Sequence, residues 1–215
     1  VPKDAPPQPI AFPLALPQNR FITLEFSQLE AGFLSLTVRC EEPVQLWAFF
    51  DERMDGQELN FYRLDCCNIL RFDLQPGEHH LLSMECYTMK YLRLAARGGS
   101  CQITGACVRE YAAPQKSILP SALPNSMRML WNAAAKTWRQ NSVDLPMDCP
   151  SRERAAWLCD SFFNARAERA LTGQSLVEQS FLENYLLAED FSPLPPGMVS
   201  MCYPSDHPNG QYIPN

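Results

Sequence analysis

The apolar residues of this chain change their period partway along it, and that change limits the fold more than any other feature. Between residues 20 and 111 they fall in short runs rich in β-branched and aromatic side chains, at 21–27, 33–40, 44–51, 61–64, 69–74, 79–86, 91–96 and 101–111. Runs of that length and composition read as strands. The gaps carry turn chemistry, as in Glu42-Pro43, Asp55-Gly56, Gln75-Pro76-Gly77-Glu78 and Gly98-Gly99. About eight strands at this spacing predict an antiparallel β-sandwich over residues 20–113. Trp47, Phe49, Phe50, Phe61 and Tyr62 are expected in its core, as strand aromatics usually are. On the surface they would instead form a platform for stacking sugars.

After Pro114, Pro120 and Pro124 the period becomes helical. The stretch 114–124 reads as a linker, and 125–215 as a helical region. Three helices are expected, at 125–140, 151–171 and 175–189. The first should turn Met127, Leu130, Trp131, Ala134 and Trp138 inward with Asn125 or Ser126 as its cap. The second should stop at Gly173, and the third should bury Leu176, Phe181, Leu182, Tyr185 and Leu186. At the other end, residues 1–19 hold prolines at 2, 6, 7, 9, 13 and 17. This predicts an extended lead-in rather than a helix or central strand.

The function classes that composition excludes are clear. A net charge of −6 and pI near 5.1 leave no basic footprint for nucleic acid. No apolar run reaches the roughly 18 residues of a membrane span. The nine cysteines, at 40, 66, 67, 86, 101, 107, 149, 159 and 202, sit mostly inside apolar runs and form no Cys-x-x-Cys pair. They are expected as free, buried thiols, with no metal site. Such cysteine usage points toward a reducing, cytoplasmic setting; a periplasmic one stays open, since the N-terminus carries no readable export signal. No motif for a cofactor is present.

Chemistry concentrates in the segment from Met147 to Asp160. If a helix starts near Pro150, Glu153, Trp157 and Asp160 fall on one face at i, i+4 and i+7, and Asp148 sits in the loop that feeds it. Carboxylates beside an aromatic ring suit sugar chemistry, with one acid as proton donor and the others holding hydroxyls. The plainer reading is a solvated helix start, where acids favour the N-terminal dipole and arginines pair with them. His79-His80 has no ligand-spaced neighbours, and Ser205-Asp206-His207 lacks a nucleophile elbow, so neither reads as a catalytic or metal site.

The run Asp148-Cys149-Pro150-Ser151-Arg152-Glu153-Arg154-Ala155-Ala156-Trp157-Leu158-Cys159-Asp160 resembles the signature of the α-L-rhamnosidase family of glycoside hydrolases, family 78, built on an (α/α)6 barrel. The likeness continues through Ser161-Phe162-Phe163-Asn164-Ala165-Arg166 and returns in the tail, from Pro196 to His207 and at Ile213-Pro214-Asn215. Tyr87 to Arg93 and Val108 to Tyr111 are similar to the β-sandwich that precedes the barrel in that family. The chain departs from the pattern at Ala155-Ala156, where many members have Leu-Gly, and at Leu158-Cys159, where Thr-Gly is frequent.

The resemblance implies an inverting hydrolase of terminal α-L-rhamnosides, acting on a rhamnose-containing oligosaccharide or glycoside. Glu153 would be the general acid. Asp148 and Asp160 would bind rhamnose hydroxyls, with Arg152, Trp157 and Asp206 as further substrate contacts. The family supplies its general base from a later glutamate, so the base is expected to be absent from this chain. Three helices cannot close a six-hairpin barrel. The chain is therefore expected to be an inactive N-terminal part of a longer enzyme, partnered by polypeptide beyond Asn215. The alternatives are a non-catalytic carbohydrate-binding or packing module and a family member without activity.

Overall fold

The computed structural model describes residues 9–187 and 194–204, and the chain divides into two compact units at Glu110/Tyr111. The first is an antiparallel sheet and the second carries three helices.

Seven strands make the sheet: β1 (Leu14–Leu16), β2 (Phe21–Cys40), β3 (Val44–Asp51), β4 (Ile69–Leu74), β5 (Gly77–Leu82), β6 (Tyr87–Arg97) and β7 (Cys101–Glu110). Their order is β1-β7-β2-β6-β3-β4, and β5 also pairs with β2. The long β2 organises everything else. Its first part, from Phe21 to Gly32, pairs with β6; its second part, from Gly32 to Cys40, pairs with β7 on one side and with β5 on the other. Both halves of the sheet feed one apolar core: Leu34, Leu36, Val38 and Ile103 from one, Leu46, Phe50, Leu92 and Leu94 from the other. Along β3 buried and half-buried residues alternate, the period of a strand with one face inward.

The two strands expected at 21–27 and 33–40 are thus one. Their connection survives because the ladder absorbs a register shift between Glu25 and Glu30, and because Gly32 lets β7 approach. A Cβ at Gly32 would lie 2.1 Å from the carbonyl oxygen of Arg109, so only glycine fits. Gly32→Ala is expected to cost about 2–4 kcal/mol, since backbone on both sides would have to move. The denaturant midpoint checks this, and an unchanged midpoint would mean that the ladder opens there at no cost.

Four further expectations for the sheet are corrected. Residues 61–64 are not a strand; Arg63–Asp65 is a single 3-10 turn, because Arg63 is drawn to Asp51 (Nε to Oδ1 2.8 Å) and Glu52 (Nη2 to Oε2 3.0 Å). The strand expected at 79–86 runs Gly77–Leu82 and stops where the Ser83 hydroxyl accepts from the Leu34 amide at 3.0 Å and donates to the Glu85 carbonyl at 2.7 Å. The proline-rich lead-in contains the edge strand β1, which pairs with β7 and is bracketed by Pro13 and Pro17, where a missing amide does no harm. Of the five aromatics expected in the core, Phe50 alone is fully buried. Trp47, Phe49 and Phe61 are half-buried and Tyr62 is 61% exposed. They form a run of touching rings, Trp47–Phe49–Phe61–Tyr62, with the Arg71 guanidinium over Trp47.

The helical unit holds α1 (Asn125–Gln140), α2 (Leu158–Thr172) and α3 (Leu176–Leu187). Trp138, Leu171, Val177 and Ala113 form its small core, with Trp131, Ala135 and Ala167 against them. The inward face of α1 is therefore narrower than its apolar content suggests: Met127, Leu130 and Ala134 are exposed, and Pro124 occupies the cap position without a side-chain bond. On α3 Phe181 is buried, whereas Leu176, Leu182 and Leu186 are exposed. Gly173 closes α2 in the left-handed region (φ 73°), as the glycine signal predicts. Glu168 then ties α2 to α3. Its Oε1 accepts from Gln115 Nε2 and the Val177 amide, both at 2.9 Å, and its Oε2 from the Glu178 amide at 3.0 Å. A buried carboxylate thus caps the first turn of α3.

Candidate active site

The acidic segment does not enter a helix at Pro150. α2 begins at Leu158, and residues 150–153 form a turn. Side chains take the bonds that a helix would need. The Asp148 amide donates to the Ala155 carbonyl, and Asp148 Oδ1 accepts from the Ala155 amide, both at 3.0 Å. The Glu153 amide donates to Cys149 Sγ at 3.3 Å, and Arg154 sits at φ 50°, which ends any right-handed run. The helical face argued from i, i+4 and i+7 spacing is therefore wrong in its premise.

Two of its members nevertheless meet. Trp157 Nε1 donates to Glu153 Oε2 at 2.7 Å, and Arg152 Nη2 donates to Glu153 Oε1. Glu153 is thus oriented from both sides, by an indole and a guanidinium, at the surface of the unit. Asp148 is half-buried at the base of the same loop. Asp160 lies apart: it is exposed on the first turn of α2, and among the described residues no hydrogen bond or ion pair joins it to Asp148 or Glu153. Asp206 lies outside the described residues.

The loop is held by contacts the sequence did not announce. Asn164 Nδ2, on α2, donates to the Met147 carbonyl at 3.0 Å, which fixes the residue before Asp148. Residues 201–203 run antiparallel to 156–158. Trp157 and Cys202 form a bridge, the Leu158 amide donates to the Met201 carbonyl at 2.8 Å, and the Tyr203 amide donates to the Ala156 carbonyl at 3.4 Å. Tyr185 on α3 holds that segment by donating to the Ser200 carbonyl at 2.9 Å and by packing edge-on against Tyr203. Burial pushes the Tyr185 hydroxyl well above its ordinary range. Cys202 is buried behind the loop, and its thiol is pushed up by burial and then by the charges of Asp148 and Glu153, against a lowering bond from Ala156. It therefore stays a neutral thiol facing two acids. The one signal of this arrangement in the sequence is the family-like tail, whose described part, residues 196–204, carries the pairing with 156–158.

Among the described residues no group of three or more His, Cys, Asp or Glu is arranged to hold a metal ion, and no helix is long and apolar enough to cross a membrane. What the site offers is an oriented carboxylate beside an aromatic ring, with a second carboxylate in the same loop. That is equipment for proton transfer to an oxygen leaving group and for gripping hydroxyls.

A sheet unit is followed by helices, with acids in the loop that enters α2. Residues 123–212 match the family model described as the bacterial alpha-L-rhamnosidase 6 hairpin glycosidase domain. Among solved structures, the chain is similar to a glycoside hydrolase family 78 rhamnosidase of Bacillus sp. GL1, with TM-score 0.67 and 21% identity over 80% of this chain and 19% of that one. It is also similar to a rhamnosidase from Klebsiella oxytoca with rhamnose bound, with TM-score 0.68 and 17% identity over 80% of this chain and 37% of that one. An alpha-L-rhamnosidase from Dictyoglomus thermophilum gives TM-score 0.65 and 14% identity over 88% and 22%. No curated protein sequence matches. The chain is alpha-L-rhamnosidase-like in its helical unit's sequence and in its fold, and it spans about a fifth to somewhat over a third of the length of these rhamnosidases.

Proposed function

We propose that this chain supplies the sheet domain and the acid-bearing first helices of an inverting α-L-rhamnosidase, in which Glu153 protonates the glycosidic oxygen. The observation that carries the reading is the fixing of Glu153 between the Trp157 indole and Arg152. Asp148, held to Ala155, grips rhamnose hydroxyls from below, and Trp157 offers its ring to the apolar face of the sugar. Asp160 and Asp206 are assigned to hydroxyl binding by the family likeness alone. Inversion needs a second carboxylate about 6.5–9.5 Å from the acid to activate water, and that base comes from outside these residues. The remaining hairpins of an (α/α)6 barrel would cover apolar side chains that all three helices leave in solvent, among them Leu130, Phe163 and Leu186.

Proton donation without an activated water does not turn over a glycoside. The 215-residue chain alone should therefore release no measurable phenol from an aryl α-L-rhamnoside under conditions where a complete rhamnosidase does. Release that Glu153→Gln abolishes would refute the placement of the base outside the chain.

A second reading, a carbohydrate-binding module, has its own support in the half-exposed rings of Trp47, Phe49 and Phe61 and the exposed ring of Tyr62. Under it, quenching of tryptophan fluorescence by a rhamnose-containing oligosaccharide would survive Trp157→Phe and vanish in Trp47→Phe. The proposed active site gives the reverse.

A further inference from the structure

Cys40 ends β2 and Cys101 begins β7, and the register of the ladder places them directly opposite each other. Partners across a ladder share a face of the sheet, and these two share the inner one, at 3% and 5% exposure. Directly opposed residues in an antiparallel pair have Cα atoms about 4.5 or 5.5 Å apart, inside the roughly 4.4–6.8 Å that a disulfide spans. None of the other described registers pairs two cysteines: Cys107, the other cysteine on β7, faces Ser35.

The pair is also reachable. A cavity of about 500 Å³ is lined by both cysteines together with Leu16, Arg39, Glu42 and Ser100. Its rim is tied down, since the Ser100 amide donates to Glu42 Oε1 at 3.0 Å and the Gln18 amide donates to Ser100 Oγ at 3.2 Å. Both cysteines stand at strand ends next to turns, where a small closing movement disturbs little of the ladder.

We propose that Cys40 and Cys101 are a modification site: a dithiol that a small-molecule disulfide entering this cavity converts to a cross-strand disulfide. One thiolate attacks a sulfur of the reagent, forming a mixed disulfide and releasing one thiol. The second cysteine, deprotonated, attacks the protein-side sulfur of that mixed disulfide and expels the other thiol. The protein loses two protons and two electrons, and the reagent is reduced to two thiols. Burial and the neighbouring Cys40 push the Cys101 thiol up to about 11. Arg39, Glu41 and Glu42 are the charged groups lining the cavity. Exchange is therefore slow at neutral pH, and the pair acts as a reserve that closes under sustained oxidation.

The experiment uses the native chain, whose nine cysteines are free, incubated with excess oxidised glutathione at pH 9. Acid quenching and peptide mapping without reductant follow. The expected map joins the Cys40 and Cys101 peptides with a loss of two hydrogens, while the exposed Cys67, Cys107 and Cys159 carry glutathione. Dithiothreitol should restore both peptides. In Cys40→Ser the cross-link should be missing, with Cys101 recovered free or as a glutathione adduct. Cys40 and Cys101 recovered unlinked from the native chain, or joined to any other cysteine, would overturn the proposal.

Discussion

If Glu153 is the proposed acid, replacing it by glutamine in a complete rhamnosidase that carries this chain should lower turnover of a natural, poorly activated rhamnoside by about 10²–10⁴. Glutamine keeps the size of the side chain, and its one oxygen can still accept from the Trp157 indole or from Arg152, though not from both; it has no acidic proton to give to the departing oxygen. Binding should survive, so the loss belongs in kcat rather than in KM, and steady-state kinetics separates the two. Asp148→Asn is different. Its Oδ1 accepts the Ala155 amide, so the variant loosens the loop that presents Glu153 as well as the proposed grip on the sugar. Both KM and kcat should move.

Glu168→Ala should destabilise the helical unit by on the order of 3–5 kcal/mol. The side chain is 1% exposed, and its two oxygens satisfy three donors, Gln115 Nε2 and the amides of Val177 and Glu178. Removing it strands those donors in the interior, at about 1–3 kcal/mol for each that finds no water, and leaves a cavity. Two of the three are helix-start amides, so α3 loses the group that fixes where it begins. Denaturant unfolding followed by tryptophan emission reads this directly, because Trp131 and Trp138 pack in the same small core. Unchanged stability would mean that Glu168 is a bystander to the α2–α3 junction.

Some elements are legible to the residue in the sequence, and others are hidden in it for definable physical reasons. The strands at 44–51 and 69–74 and the helix at 125–140 end where they were expected to. In those stretches alternation, turn residues and flanking prolines all agree, so local preference and tertiary packing point the same way. Residues 61–64 failed because aromatic content argues for a strand, while the pull of Arg63 toward Asp51 is a tertiary bond that no local pattern shows. The acidic segment failed in a similar way. Its Glu and Arg content favours a helix, but the bonds between Asp148 and Ala155 and from Glu153 to Cys149 close a turn instead.

The meeting of Glu153 with Trp157 was thus expected from a helix that is not there; what brings them together is the turn and an indole hydrogen bond. Nor could spacing place Cys202 against Trp157, since that bridge joins segments far apart in the chain. The apolar faces of α1 and α3 were overcounted for a related reason. Periodicity reports that a face is apolar, and it says nothing of whether the neighbour that covers it is at hand.

The proposed role of Glu153 turns on which bond its proton would help to break, and leaving-group dependence tests that most directly. Wild type and Glu153→Gln should be compared on a natural rhamnoside and on an aryl rhamnoside whose phenol departs readily as an anion. A good leaving group needs little protonation, so the variant should lose about 10²–10⁴ on the natural substrate and far less on the aryl one. Equal losses on both would contradict the account, removing Glu153 from the acid role and pointing to an aspartate of the same loop instead.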